Sequence, residues 1–74
     1  MPRLPVISGD EFAKAVRKIG YIWDYTEGSH MILLHPSGRR LSVPRHAELG
    51  RGLLRALIRD AGLSRQEFIR LLQE

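Results

Sequence analysis

This chain changes period twice. Phe12, Ala15, Val16 and Ile19 recur at helical spacing, Tyr21 to Val43 runs in short extended stretches broken by glycine turns, and Leu54, Leu57, Ile58 and Ala61 return to helical spacing. A period near 3.6 buries one stripe of a helix, whereas a period of two places alternate strand residues on opposite faces. In a chain of 74 residues there is too little apolar material for two cores, so strands and helices must share one. Residues 1–74 are therefore expected to form one domain, near the smallest size that is stable without staples.

Local signals place the elements. Ser8-Gly9-Asp10-Glu11 and Ser64-Arg65-Gln66-Glu67 both have capping-box spacing, so a helix is expected after each serine. Ile7 and Phe12 suit a hydrophobic staple on the first helix, and Gly20 suits its left-handed end. Tyr21, Trp23 and Tyr25 alternate as a first strand, Thr26 to Ser29 supplies a turn, and His30 to His35 is a second strand apolar on both faces. Pro36 to Arg39 turns again into a third strand, Arg40 to Val43, which Pro44 stops. A connector from Arg45 to Gly52 leads to the second helix, which Gly62 closes, and a short third helix carries Phe68, Leu71 and Leu72. The expected class is α+β: a three-stranded antiparallel meander with helices on one face, in the order α-β-β-β-α(-α).

Composition narrows the chemistry. The absence of cysteine removes disulfide scaffolds, thiolate catalysis and cysteine-based zinc sites. No apolar run approaches the roughly 18 residues of a membrane helix, and Met1 to Pro5 lacks the apolar region of an export signal, so a cytoplasmic protein without membrane contact is expected. The net charge is +4, and ten of the twelve cations are arginine, whose planar fork binds phosphate bidentately; a polyanionic partner is favoured.

One residue is placed for proton transfer. Gly28-Ser29-His30 delivers an imidazole to the first position of a strand, and histidine is the side chain that most readily gives and takes protons near neutrality. Either a two-residue or a four-residue second turn sets His35 opposite Arg40. Counting back pairs Leu34 with Leu41, Ile32 with Val43 and His30 with Arg45, all facing the core, and the first turn brings Tyr25 to the other side of His30. An imidazole at the sheet margin beside a guanidinium suits cleavage of RNA, which carries its own nucleophile in the 2′-hydroxyl and needs only a base, an acid and positive charge near phosphorus. The competing expectation is that His30 is an ordinary surface or packing residue.

His35 and His46 are expected to be turn or connector residues. His30 and His35 differ by an odd number and face opposite ways, which argues against a three-histidine zinc site. Arg51, Arg55 and Arg59 share one helix face, either binding phosphate or forming a solvated surface, and Arg39 and Arg40 sit on the second turn. The aromatics Tyr21, Trp23 and Tyr25 are expected to pack under the helices, with base stacking as the alternative.

Taken together, four features resemble the HicA family of messenger-RNA interferase toxins from bacterial and archaeal toxin–antitoxin pairs. They are a first helix ending in Gly20 before Tyr21; Gly28-Ser29-His30 followed by apolar residues; Val43-Pro44-Arg45-His46; and the stretch from Gly52 to Ser64. The resemblance spans Ile7 to Leu72. It implies a fold like a double-stranded RNA-binding domain, metal-independent cleavage of messenger RNA without a cofactor, and inhibition by a HicB-type antitoxin. His30 takes the family's catalytic position, with Gly28, Ser29, Arg39, Arg40, Arg45 and Arg51 as candidate substrate-binding residues. A non-catalytic RNA-binding module of the same fold is the alternative. Two departures are visible: Leu53 stands where the family often has a helix-capping threonine, and Glu48-Leu49-Gly50 replaces common lysines.

Overall fold

A computed structural model describes residues 4–74; Met1 to Arg3, part of the segment on which the export-signal expectation rests, lie outside the described residues. The elements are α1 (Gly9–Arg17), β1 (Ile22–Glu27), β2 (His30–Leu34), β3 (Arg40–Pro44), α2 (Arg51–Asp60) and α3 (Arg65–Gln73). The strands form one antiparallel sheet in the order β1-β2-β3. Its core side is Met31, Leu33, Leu41 and Val43, which meet Phe12 and Val16 of α1, Leu54, Leu57 and Ile58 of α2, and Phe68 and Leu71 of α3 in a single cluster. The class is α+β with helices on one face, in the order expected, and it resembles a double-stranded RNA-binding domain. No helix among the described residues is long and apolar enough to cross a membrane.

Both capping boxes form. Ser8 Oγ accepts from the Glu11 amide at 3.0 Å while the Ser8 amide donates to Glu11 Oε1 at 2.9 Å, and Ser64 and Glu67 repeat the exchange at 3.1 and 2.8 Å. Each box satisfies two amides that a helix start leaves without partners. Ile7 and Phe12 are both in the core, as a staple requires, and Phe12 stacks on Phe68 with centroids 5.2 Å apart, joining α1 to α3. Lys18 Nζ donates to the carbonyls of Leu71 and Glu74 at 2.6 and 2.7 Å, setting a cation at the negative end of α3.

The start of α1 lies directly on the end of β3. A Cβ built on Gly9 would stand 1.9 Å from the Pro44 carbonyl oxygen, so only glycine fits there. The Gly9 amide donates to His46 O at 3.0 Å, and the Leu49 amide donates to Ile7 O at 2.8 Å. These bonds lash the connector to the residues around the cap.

The register departs from expectation at both hairpins. The second loop has three residues, Pro36-Ser37-Gly38, closed by the His35 amide to Arg39 O at 3.0 Å and the Gly38 amide to His35 O at 2.9 Å, with Gly38 at φ +94°. An odd loop moves every pair by one. Leu34 therefore faces Arg40, Leu33 faces Leu41, Ile32 faces Ser42 and His30 faces Pro44 rather than Arg45. The first turn is only Gly28-Ser29, with φ +59° at Gly28 and no positive φ at Ser29. That is the type II′ pattern, and it sets Glu27 rather than Tyr25 opposite His30. Since Leu41 and Val43 face the helices, Met31 and Leu33 join them; His30, Ile32 and Leu34 are thrown onto the open face instead of the core-facing row expected.

The aromatic row also divides. Tyr21 lies before β1, is buried, and donates its hydroxyl to Ala61 O at 3.1 Å; burial holds its phenol above the ordinary range. A bulge at Asp24 separates Trp23 from Tyr25, and β1 is an edge strand of exposed residues, so Trp23 stays 58% and Tyr25 40% exposed rather than under the helices. The connector ends earlier than expected as well. The helix α2 begins at Arg51 behind Gly50, which has no side chain to cap it, and Leu53 falls inside the first turn.

Replacing Gly9 by alanine forces a methyl group into the Pro44 carbonyl. The expected result is a loss of about 1–3 kcal/mol or more and a melting point lower by at least about 5 °C, read by circular dichroism. A second expectation concerns pH. The amide and hydroxyl of Ser64 hold the Glu67 carboxyl below its ordinary range, so its contribution is present above the unfolded-state pKa and lost as pH falls through the folded one. Melting curves of wild type and Glu67→Gln should differ most near neutrality and converge in acid.

Candidate functional site

The open face of the sheet carries a shallow groove whose walls come from all three strands. Glu27 of β1, His30 and Ile32 of β2, and Arg40 and Ser42 of β3 line it. Strand alternation puts them on one face: Glu27 pairs with His30, Ile32 with Ser42, and Arg40 lies one pair further along. Ile32 is the floor. It is only 5% exposed although no helix among the described residues covers this side, because Tyr25 is its cross-strand partner on β1 and Arg40 leans in from β3. Arg40 Nη2 donates to the Tyr25 hydroxyl at 2.7 Å, and its guanidinium carbon lies 5.9 Å from the centroid of the Tyr25 ring.

His30 opens β2 immediately after the tight turn, so its backbone is held by both neighbouring strands while its side chain is exposed. Among the described residues neither of its ring nitrogens is engaged in a hydrogen bond. His35 is the opposite case. Its Nδ1 accepts from the Ser37 amide at 3.0 Å and lies 2.8 Å from Ser37 Oγ, while Nε2 lies 2.9 Å from Ile19 O. An amide can only donate, so that network assigns the proton to Nε2, which donates to Ile19 O. With Tyr21 packed on its ring at 4.8 Å, His35 ties the second hairpin to the end of α1. His46 is an exposed connector residue whose carbonyl receives the Gly9 amide.

Of the candidate arginines, Arg40 alone lines the groove. The Arg45 amide does bond to Ser29 O at 2.7 Å, beside the Gly28-Ser29-His30 turn, but its Nε pairs with Asp10 of α1 at 3.3 Å. Arg39 Nη1 donates to Asp60 O at 3.2 Å, and its guanidinium lies against Gly62, where a Cβ would come within 3.1 Å of Cζ. There it satisfies the carbonyl end of α2. Arg51 is the exposed first residue of α2, a helix packed on the other side of the sheet. Gly28 and Ser29 form the exposed turn itself. The stripe continuing from Arg51 is real: Arg55 and Arg59 share a hollow with Gly52 and Ala56, and Arg59 also lies 3.7 Å from Asp60.

Two residues of the groove, Glu27 and Ser42, escape the sequence reading. Glu27 was legible in principle, since a two-residue Gly-Ser turn makes the residues flanking it direct partners. Ser42 follows only from the odd loop. The assembled groups are an imidazole able to carry a proton, a carboxylate able to accept one, and a guanidinium able to bind an anion.

Solvent access separates the histidines experimentally. Diethylpyrocarbonate should modify the exposed His30 and His46 and spare the bonded His35 by at least about tenfold in the folded protein, mapped by peptide mass spectrometry. Modification of His35 as fast as His30 would contradict the hydrogen bonding described.

A family model described as the HicA toxin of bacterial toxin–antitoxin pairs matches residues 9–63, from the first residue of α1 to the loop after α2. That span includes every residue of the groove. No curated protein matches the chain.

Proposed function

The chain belongs to the HicA family of bacterial toxins, and from that premise we propose that it is an endoribonuclease that cleaves messenger RNA with His30 as an acid–base catalyst. The observation that supports this reading is the exposed, unbonded imidazole of His30 in one groove with the braced guanidinium of Arg40. RNA supplies the attacking 2′-oxygen, so the protein needs to move two protons and stabilise charge on phosphorus. The leaving group is the 5′-oxygen, and the product ends are a 2′,3′-cyclic phosphate and a 5′-hydroxyl. No metal ion is needed for that displacement, because the nucleophile is part of the substrate.

Arg40 takes the electrostatic role that the sequence suggested for Arg45, since the Arg45 side chain is engaged by Asp10. A placed proton-transfer group contributes roughly 10²–10⁴ in rate and a placed cation roughly 10²–10³. An open groove suits a single strand, and the exposed ring of Tyr25 beside it offers a surface for stacking a base. The toxin–antitoxin family implies an antitoxin; a HicB-type partner that covers this face would block access to His30. Its messenger RNA substrate places the site of action in the cytoplasm.

The test uses purified protein, a mixed-sequence RNA and excess EDTA. Wild type should yield fragments with 2′,3′-cyclic phosphate ends. His30→Ala should yield none, and Arg40→Ala should cut about 10²-fold more slowly or worse. RNA that is bound but never cut would instead identify a binding module of the same fold.

A further inference from the structure

We propose that Glu27 is a second catalytic residue, the general base that takes the 2′-hydroxyl proton, and that His30 is the general acid that protonates the leaving 5′-oxygen. This rests on the ribonuclease reading above and divides the two proton transfers between two named groups.

The placement follows from the turn. Gly28-Ser29 is the shortest loop that joins antiparallel strands, and the residues on either side of it, Glu27 and His30, are direct cross-strand partners. Side chains of such partners project from the same face with Cβ atoms about 4.5–5.5 Å apart. Both line the open groove. Yet among the described residues they make no ion pair with each other, and Glu27 is engaged in no salt bridge or side-chain hydrogen bond. A carboxylate and an imidazole that start at neighbouring Cβ atoms without touching leave space between their tips. In-line displacement at phosphorus requires that geometry, because the entering and leaving oxygens lie on opposite sides and each needs its own proton-transfer group.

Among the described residues, the other charged or titratable groups beside the pair are Arg40 of β3 and the Tyr25 phenol of β1, which bind one another. The remaining N–H groups of Arg40 serve the non-bridging phosphate oxygens. The Glu27 carboxylate removes the 2′-hydroxyl proton, the O2′–P bond forms, the P–O5′ bond breaks, and the His30 imidazolium gives its proton to O5′. Glu27 ends protonated and His30 neutral, and exchange with water restores both.

The experiment first maps one linkage that wild type cuts in an oligoribonucleotide, then compares wild type, Glu27→Gln and His30→Ala across pH. A second oligonucleotide carries sulfur in place of the bridging 5′-oxygen at that linkage; thiolate leaves without help from an acid. Both variants alter exposed side chains, and circular dichroism checks that each is folded. With the normal substrate, Glu27→Gln should lose about 10²–10⁴ in kcat with little change in KM, and should lose the acidic limb of the pH profile. With the sulfur substrate, His30→Ala should recover most of its lost rate and Glu27→Gln should not. A Glu27→Gln enzyme with wild-type kcat and both limbs intact overturns the assignment of Glu27 while leaving the nuclease reading standing. Rescue of Glu27→Gln rather than His30→Ala by sulfur overturns the division of roles. A wild type that cuts no RNA overturns the nuclease reading, and this inference with it.

Discussion

The three-residue loop that closes the second hairpin governs what this small sheet offers to solvent. Two backbone bonds, from His35 to Arg39 and from Gly38 to His35, hold it in a form that only a residue tolerant of positive φ completes, and Gly38 supplies that residue. Because a strand has a period of two, the parity of one loop decides which side chains stand beside one another in the two strands that flank it. Here it pairs Met31 with Val43 and Leu33 with Leu41 for the core, and pairs Ile32 with Ser42 for the groove. A loop one residue shorter or longer would place a different set around His30.

That loop also explains where the sequence was transparent and where it was not. Helices announced themselves through interactions within a few residues: the serine and glutamate of each capping box, the staple of Ile7 on Phe12, and the apolar stripe of α2. Those are local contacts, and local sequence suffices to read them. The partners of His30 depend on turn lengths on both sides of β2, and Pro36-Ser37-Gly38-Arg39 is chemically compatible with loops of two, three or four residues. Ser42 was hidden for that reason, and Glu27 because the first turn reads as four residues rather than two, whereas the place of His30 at the start of a strand was visible at once. The fate of Trp23 was illegible for another reason: nothing local to the alternation of β1 foretells the bulge at Asp24.

The arginines show the limit of counting charge. Arg39 and Arg45 looked equivalent to Arg40 in sequence, but a carbonyl at the end of α2 and a carboxylate at the start of α1 occupy them. Both of those acceptors lie on helices that cover the far side of the sheet. Once the helices are docked, the side chains that answer their exposed ends are drawn away from the open face. What remains in the groove, among the described residues, is the single guanidinium whose partner, Tyr25, is itself on the sheet.

That partnership changes the thermodynamics of whatever binds there. A free arginine loses rotamer freedom when it clasps an anion, and such ordering costs about 0.5–1.5 kcal/mol per side chain. Arg40 surrendered much of that freedom when the chain folded, held between the hydroxyl and the face of Tyr25. A ligand meeting it finds the fork already held by one hydrogen bond and one ring. His30, by contrast, has no such brace among the described residues, so an arriving ligand must settle the imidazole itself, and affinity and turnover in this groove depend on one braced group and one that has yet to be ordered.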